Sequence, residues 1–289
     1  MDYFYAIQPN VEMISKRKEV PNQITVAQIE KFFRDKEYRQ VEDIIIQSLF
    51  FHHYLTKINI TRFSNRRLKA DNKKDFYGNI LKQLYKDGCI EILTYGNITL
   101  YTLSDQAREY ATMKYKNIRN REFTPPEANT DTILECASLA QWHISLVCGE
   151  NIRRSYFYEK AHIGNLPIQF ASYLEFMKGE YCYHVISNIL PKKNETTEKF
   201  FQHIKALSHA FRSNIKVGKK HVFLNVLIVP DLDSIKKVAA VLQATDATKD
   251  MTFYFILEEQ THLINGLKIL YTYENTGRDI LIATIKFKE

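Results

Sequence analysis

One stretch constrains this chain more than any other: Arg62 to Leu103, RFSNRRLKADNKKDFYGNILKQLYKDGCIEILTYGNITLYTL. It opens with a basic segment in which Arg62, Arg66, Arg67, Lys69, Lys73 and Lys74 are accompanied by a single acid, Asp71. That segment reads as a basic loop. A helical pattern follows, with Phe76, Ile80 and Leu84 four apart and Leu81 and Tyr85 on an adjoining stripe. Asn72 or Asp75 suits the helix start, and Gly88 suits the left-handed residue just past its end. Two strand-like runs, 89–94 and 98–103, are joined around Tyr95-Gly96-Asn97, where Gly and Asn tolerate the positive φ of a tight hairpin. Basic loop, helix and hairpin follow one another as in a winged helix-turn-helix. In that module the second helix of the pair enters the DNA major groove and the hairpin lies along the backbone.

The same pattern divides the helix into faces. With Phe76, Ile80, Leu81 and Leu84 in a core, Lys73, Lys74, Tyr77, Lys82, Gln83 and Lys86 are left for solvent or DNA. Arg62, Arg66, Arg67, Lys69, Lys73 and Lys74 are expected to contact phosphate. Tyr77 and Lys82 are the expected groove contacts, and Asn97 sits at the wing tip. Charge supports this side of the chain: residues 1–122 hold 21 Lys and Arg against 15 Asp and Glu, whereas residues 123–289 hold 19 against 18. Nearly all of the formal +7 therefore lies where a polyanion would bind, and cations that displace phosphate counterions supply sequence-independent affinity.

Upstream, residues 1–22 read as an arm carrying Lys16-Arg17-Lys18. Two amphipathic runs, ITVAQIEKFF and VEDIIIQSLFF, read as helices scaffolding the DNA-reading helix. After the hairpin, Ser104 caps a helix, SDQAREYATMKYKN. The polar segment around Pro125-Pro126 is the best boundary, because neither proline fits a helix interior and the charge balance changes there. The expected domains are 1–122, a winged-helix DNA-binding domain with its arm; 123–130, a linker; and 131–289, an α/β domain with a mixed sheet. In the last, ILECASLAQWHISLV is a helix, 168–176 and 181–189 form a hairpin, and 196–211 is an amphipathic helix. HVFLNVLIV is apolar almost throughout, as a strand covered on both faces should be.

Chemistry is harder to find. The four cysteines, Cys89, Cys136, Cys148 and Cys182, show no CxxC or Cys/His ligand spacing, so no metal and no disulfide framework is expected. There is no GxxxxGK[ST], GxGxxG or GxSxG, and no His-x-His beside a tyrosine as a DNA-nicking relaxase of the common type requires. A magnesium-dependent nuclease sheet would carry an acid on one strand and Glu/Asp-x-Lys on the next. The hairpin IQFASYLEFMKGEYCYHVISN has only Glu175 and Glu180, both near its turn, while Asp231 and Asp233 suit a helix cap. No cofactor is expected, and no catalytic residue is nominated. No run approaches the ~18 apolar residues of a membrane span, and the N-terminus lacks a signal-peptide pattern, so a cytoplasmic protein is expected.

Several of these pieces resemble the replication-relaxation proteins of Gram-positive conjugative plasmids and integrative elements. They are NILKQLYKDGCIEIL before ITLYTLSDQAREYA, then YHVISN, EKFFQHIKAL and VFLNVLIVPDLDSIKKVAAVL. The resemblance implies a winged helix fused to an α/β domain similar to a degenerate PD-(D/E)xK nuclease. It also implies an accessory protein that binds double-stranded DNA in plasmid transfer or replication beside a separate relaxase, with a homodimer possible. Two other readings stay open: a metal-dependent nuclease with unaligned acids, and a regulator whose second domain binds a small effector.

Overall fold

The computed structural model describes residues 16–18, 25–34, 40–72, 74–119, 122–123, 130–163, 166–190, 200–202, 204–206, 209, 220–244, 252–263, 266–275 and 280–284. It separates into two compact units, Met1–Ile144 and Ser145–Glu289. The division falls inside a helix rather than at the expected 123–130 linker, most of which lies outside the described residues.

In the first unit, α1 (Val26–Arg34) starts at a capping box. The Thr25 hydroxyl accepts from the Gln28 amide at 3.3 Å, and the Gln28 side chain accepts from the Thr25 amide at 2.8 Å. Helix α2 (Gln40–His52) buries Ile44, Ile45, Ile46, Leu49, Phe50 and Phe51, a face too broad for a simple amphipathic stripe. Helix α3 (Lys57–Leu68) corrects the expected basic loop. Thr56 caps it by accepting from the Asn59 amide at 3.3 Å, and Lys69 ends it in the left-handed region, with φ of 51°. Half of its buried face is polar, Asn59 and Ser64 beside Ile60 and Phe63, so an apolar repeat scarcely shows.

Helix α4 (Lys74–Lys86) follows, and then a hairpin of β2 (Ile90–Tyr95) and β3 (Ile98–Leu103). Tyr95 pairs with Ile98, so the turn is Gly96-Asn97, and Gly96 takes the positive φ, 58°. The arm contributes β1 (Lys16–Lys18), which pairs antiparallel with β2 and makes this sheet three-stranded. On the other edge, Leu55 bridges to Tyr101 of β3. Ser104 caps α5 (Asp105–Arg119), accepting from the Ala107 amide at 3.3 Å. Tyr115 ties α5 to α2 by donating to the Asp43 carboxylate at 2.6 Å. A two-residue strand, β4 (Glu122–Phe123), precedes α6 (Thr130–Gly149), which crosses the division between the units. Among the described residues no helix is long and apolar enough to cross a membrane.

The second unit is mixed α/β. Its strands are β5 (Ile152–Ile163), β6 (Leu166–Lys178), β7 (Tyr181–Ile189), β8 (His221–Val229), β9 (Phe253–Leu257), β10 (Tyr271–Asn275) and β11 (Ile280–Thr284). They lie in the order β11-β10-β9-β8-β7-β6-β5. The central β7–β8 and β8–β9 pairs are parallel and the rest antiparallel. Parallel neighbours need covered faces, which explains why β8 from Val222 to Val229 is apolar except at the buried Asn225. Leu227 and Val229 of β8 pack with Phe253, Phe255 and Leu257 of β9, with Ile235, Val238 and Leu242 of α7 (Leu232–Ala244), and with Phe201 and Ile204 of a helical segment. Each such side chain, fully buried, contributes about 1.5–3 kcal/mol of transfer free energy before ordering costs.

Candidate nucleic-acid interface

Helices α3 and α4 are joined through one side chain. The Asn65 side-chain carbonyl accepts from the Tyr77 hydroxyl at 2.6 Å and from the Asn72 backbone amide at 3.0 Å, while its NH2 donates to the Asn72 carbonyl at 2.9 Å. The Asn72 side chain donates to the Tyr77 hydroxyl at 3.4 Å. The Asn65 backbone carbonyl meanwhile accepts from the amides of Lys69 and Ala70. The last turn of α3, the connecting segment and the first turn of α4 are thereby held by a single satisfied network. In a low-dielectric setting such a network rigidifies the backbone around it.

This corrects the assignment of Tyr77. Its exposure is 0%, and its hydroxyl is spent on Asn65, so it positions α4 rather than reaching a groove. The buried stripe of α4 is Tyr77, Leu81 and Leu84; of the expected core residues Leu81 and Leu84 are buried, whereas Ile80 is half-buried and Phe76 is 43% exposed. Of the expected phosphate contacts, Arg66, Arg67 and Lys69 are exposed at the end of α3, and Arg62 is half-buried one turn earlier. Arg67 donates to the Gln47 side chain at 3.3 Å. Lys73 lies outside the described residues. Lys74 is the first residue of α4, and its side chain also lies outside them. Lys82 is exposed on α4, and Asn97 is exposed at the hairpin turn. Gln83 and Lys86, also expected on the outer face, are exposed on α4, and the geometry adds Asn79 beside them. Asn79 went unread because its position follows only once the buried stripe is correctly placed.

In the second unit the acids weighed for metal catalysis have other partners. Asp231 caps α7, accepting from the amide and hydroxyl of Ser234 at 2.7 and 2.8 Å, and those bonds hold its carboxyl below the usual carboxylate range. Asp233 pairs with Lys236 at 3.7 Å, and Glu180 with Lys220 at 2.7 Å. Glu175, near the turn of the β6–β7 hairpin, anchors a relay. It pairs with Arg154 at 3.6 Å and accepts from the Tyr173 hydroxyl at 3.2 Å. The Tyr173 oxygen lies 3.0 Å from His184 Nδ1, and His184 Nε2 lies 2.8 Å from His221 Nδ1.

The donor directions in this relay follow from chemistry. A carboxylate cannot donate, so the only Tyr173 hydroxyl proton goes to Glu175, and the Tyr173 oxygen must accept from His184 Nδ1–H. His184 is neutral near pH 7, because burial, then His221 and Arg154, draw its pKa down to about 4. Its Nε2 consequently carries a lone pair, which accepts from His221 Nδ1–H. Burial and the Glu175 charge push the Tyr173 hydroxyl well above the usual phenol range.

No family model matches the chain, and no curated protein matches it. Among solved structures, one of the restriction endonuclease FokI bound to DNA aligns with a TM-score of 0.32 and 13% identity, covering 87% of this chain and 54% of that chain. The present chain thus spans about half the length of that enzyme. Similarity at this level establishes neither a shared fold nor a shared activity.

Proposed function

We propose that residues 40–103 act as a winged helix-turn-helix that binds double-stranded DNA. In this reading α3 is the first helix of the pair, α4 enters the major groove and the β2–β3 hairpin is the wing. The observation that carries the reading is the Asn65–Asn72–Tyr77 network, which fixes α4 against α3 while Arg66, Arg67, Lys69 and Lys82 stay on the outside. Arg66, Arg67 and Lys69 contact phosphate. Asn79 and Gln83 stand one turn apart on α4 and carry the amide that pairs with adenine in the major groove. Asn97 follows the backbone at the wing. The kinship suggested by the quoted motifs extends the proposal to an accessory role in plasmid transfer or replication, beside a relaxase and with a nuclease-like second domain that does not cleave DNA.

The test is a salt titration of duplex binding. Changing Arg66, Arg67, Lys69 and Lys82 together to Ala weakens binding to every duplex, and the log–log salt slope flattens by about 0.9 for each phosphate no longer neutralised. Asn79→Ala instead narrows the difference between preferred and random duplexes and leaves the slope alone. A quadruple variant with the parental slope would remove this face from the interface.

A further inference from the structure

We infer that Cys182, His184 and His221 form a binding site for a divalent transition ion of the zinc class. This rests on the second unit alone and is independent of the DNA-binding reading. One donor atom from each of the three residues lies within 4.8 Å of the other two, and this is the group of metal-capable side chains that converges among the described residues. The sheet explains the convergence. Cys182 and His184 are two apart on β7 and so project to one face. His221 opens the parallel neighbour β8 in register with Cys182, which puts its side chain on the same face. Cys182 and His184 are buried and His221 is half-buried, so the site has a wet side through which an ion enters.

The surroundings suit a ligand set. A ligating histidine characteristically donates its other ring N–H to a carboxylate, carbonyl or water, which fixes the tautomer and raises basicity. The Glu175–Tyr173 relay does this for His184, leaving the Nε2 lone pair on the side facing Cys182 and His221. Phe223 stacks on the His184 ring at 4.7 Å and 14°, holding the ring plane. A thiolate and two imidazoles are the donors zinc prefers, whereas magnesium takes oxygens.

Binding conserves protons simply. The Cys182 S–H bond breaks, its proton leaves to solvent, and sulfur donates a pair to the ion. The His221 proton moves from Nδ1 to Nε2, so Nδ1 becomes a donor of electrons to the metal and the imidazole–imidazole hydrogen bond gives way to two nitrogen–metal bonds. Tetrahedral bonds of about 2.0–2.1 Å set the nitrogens about 3.3 Å apart. The present 2.8 Å therefore opens by roughly half an ångström, within reach of the half-buried His221. The fourth position is left to water.

The experiment titrates cobalt into full-length protein stripped with a chelator. One equivalent of cobalt per chain is expected, with tetrahedral visible bands and a thiolate-to-cobalt charge-transfer band, and zinc displacing it stoichiometrically. Cys182→Ser abolishes the charge-transfer band. His221→Asn, at a half-buried position, lowers affinity at least tenfold while far-UV circular dichroism is unchanged. Tyr173→Phe keeps the stoichiometry and weakens binding by about 10–100-fold. The inference is overturned by folded parent protein with no tetrahedral cobalt spectrum, by an identical spectrum in Cys182→Ser, or by displacement of cobalt with equimolar magnesium.

Discussion

The α3–α4 junction and the relay across β6, β7 and β8 are both built around a tyrosine hydroxyl handing its proton to an oxygen acceptor, yet they are assembled on different scales. Tyr77 finds Asn65 twelve residues away, across one turn between two helices. Tyr173 is joined to His184 over eleven residues, but the relay continues to His221, another 37 residues on. A helical pair closes its polar network locally, so the relevant residues crowd one stretch of sequence. A parallel sheet pair needs a long crossover between its strands, so its polar groups meet from distant segments. The first arrangement serves to hold geometry, and the second brings unlike donors to one point.

The sharpest way to break this comparison is at Tyr77. Tyr77→Ala removes a fully buried ring and the donor that satisfies Asn65, and should cost about 3–5 kcal/mol in urea unfolding. Tyr77→Phe keeps the ring and should cost about 1 kcal/mol. Its salt slope for DNA should equal that of the parent, because the residue positions the helix without touching phosphate. A flattened slope in Tyr77→Phe would return this residue to the interface.

A second histidine region gives a pH test for the first unit. His53 is buried, with Arg108 Nη1 3.5 Å from its Nδ1. Burial first, then Arg108 and His52, bring its pKa from 6.5 down to about 3. Between these values the unfolded chain binds a proton that the folded chain refuses, so stability falls as pH drops from about 6.5 toward 3, by at most ~1.4 kcal/mol per pH unit. His53 has φ of 62°, which Asn tolerates best among polar non-glycine residues. His53→Asn should therefore have a shallower stability–pH profile than the parent over that window. Parallel profiles would show that His53 is not the group responsible.

The smallest expected effect belongs to the helix after β8. Asp231→Ala deletes the α7 cap and should cost about 1 kcal/mol, and Asp231→Asn should recover most of it. If magnesium stabilised the parent but not Asp231→Ala, the carboxylate would have a metal role and not merely a capping one.

Much of this molecule was legible in its sequence, and the failures share a cause. Apolar periodicity revealed α2, α4 and the buried strands. Gly88, with φ of 76°, and Ser104 stood where turn and cap chemistry required them. Helix α3 was read as a loop because its buried face includes Asn59 and Ser64, which look solvated in a hydropathy pattern. On α4 two stripes one residue apart both end at Leu84. What distinguishes them is the Asn65 partner of the Tyr77 hydroxyl, and a pattern of apolar residues contains no such information. Likewise Cys182-x-His184 is unremarkable until strand alternation puts both on one face and β8 supplies His221.

Gly78 turns a matter of shape into one of field. Lys57 of α3 lies across it: a Cβ at this position would stand 2.5 Å from the lysine Nζ and 2.9 Å from its Cε. The same ammonium group sits 3.7 Å from Asp75. Gly78→Ala would gain about 1 kcal/mol of helix propensity, but only once the lysine swings aside and gives up an exposed ion pair worth roughly 0–1 kcal/mol. The free energies nearly cancel, whereas the electrostatic potential does not. The displaced ammonium would stand apart from an aspartate it no longer neutralises, at the end of α4 that the proposed complex presents to phosphate. The missing methyl group thus works as a spacer that keeps one positive and one negative charge folded into each other.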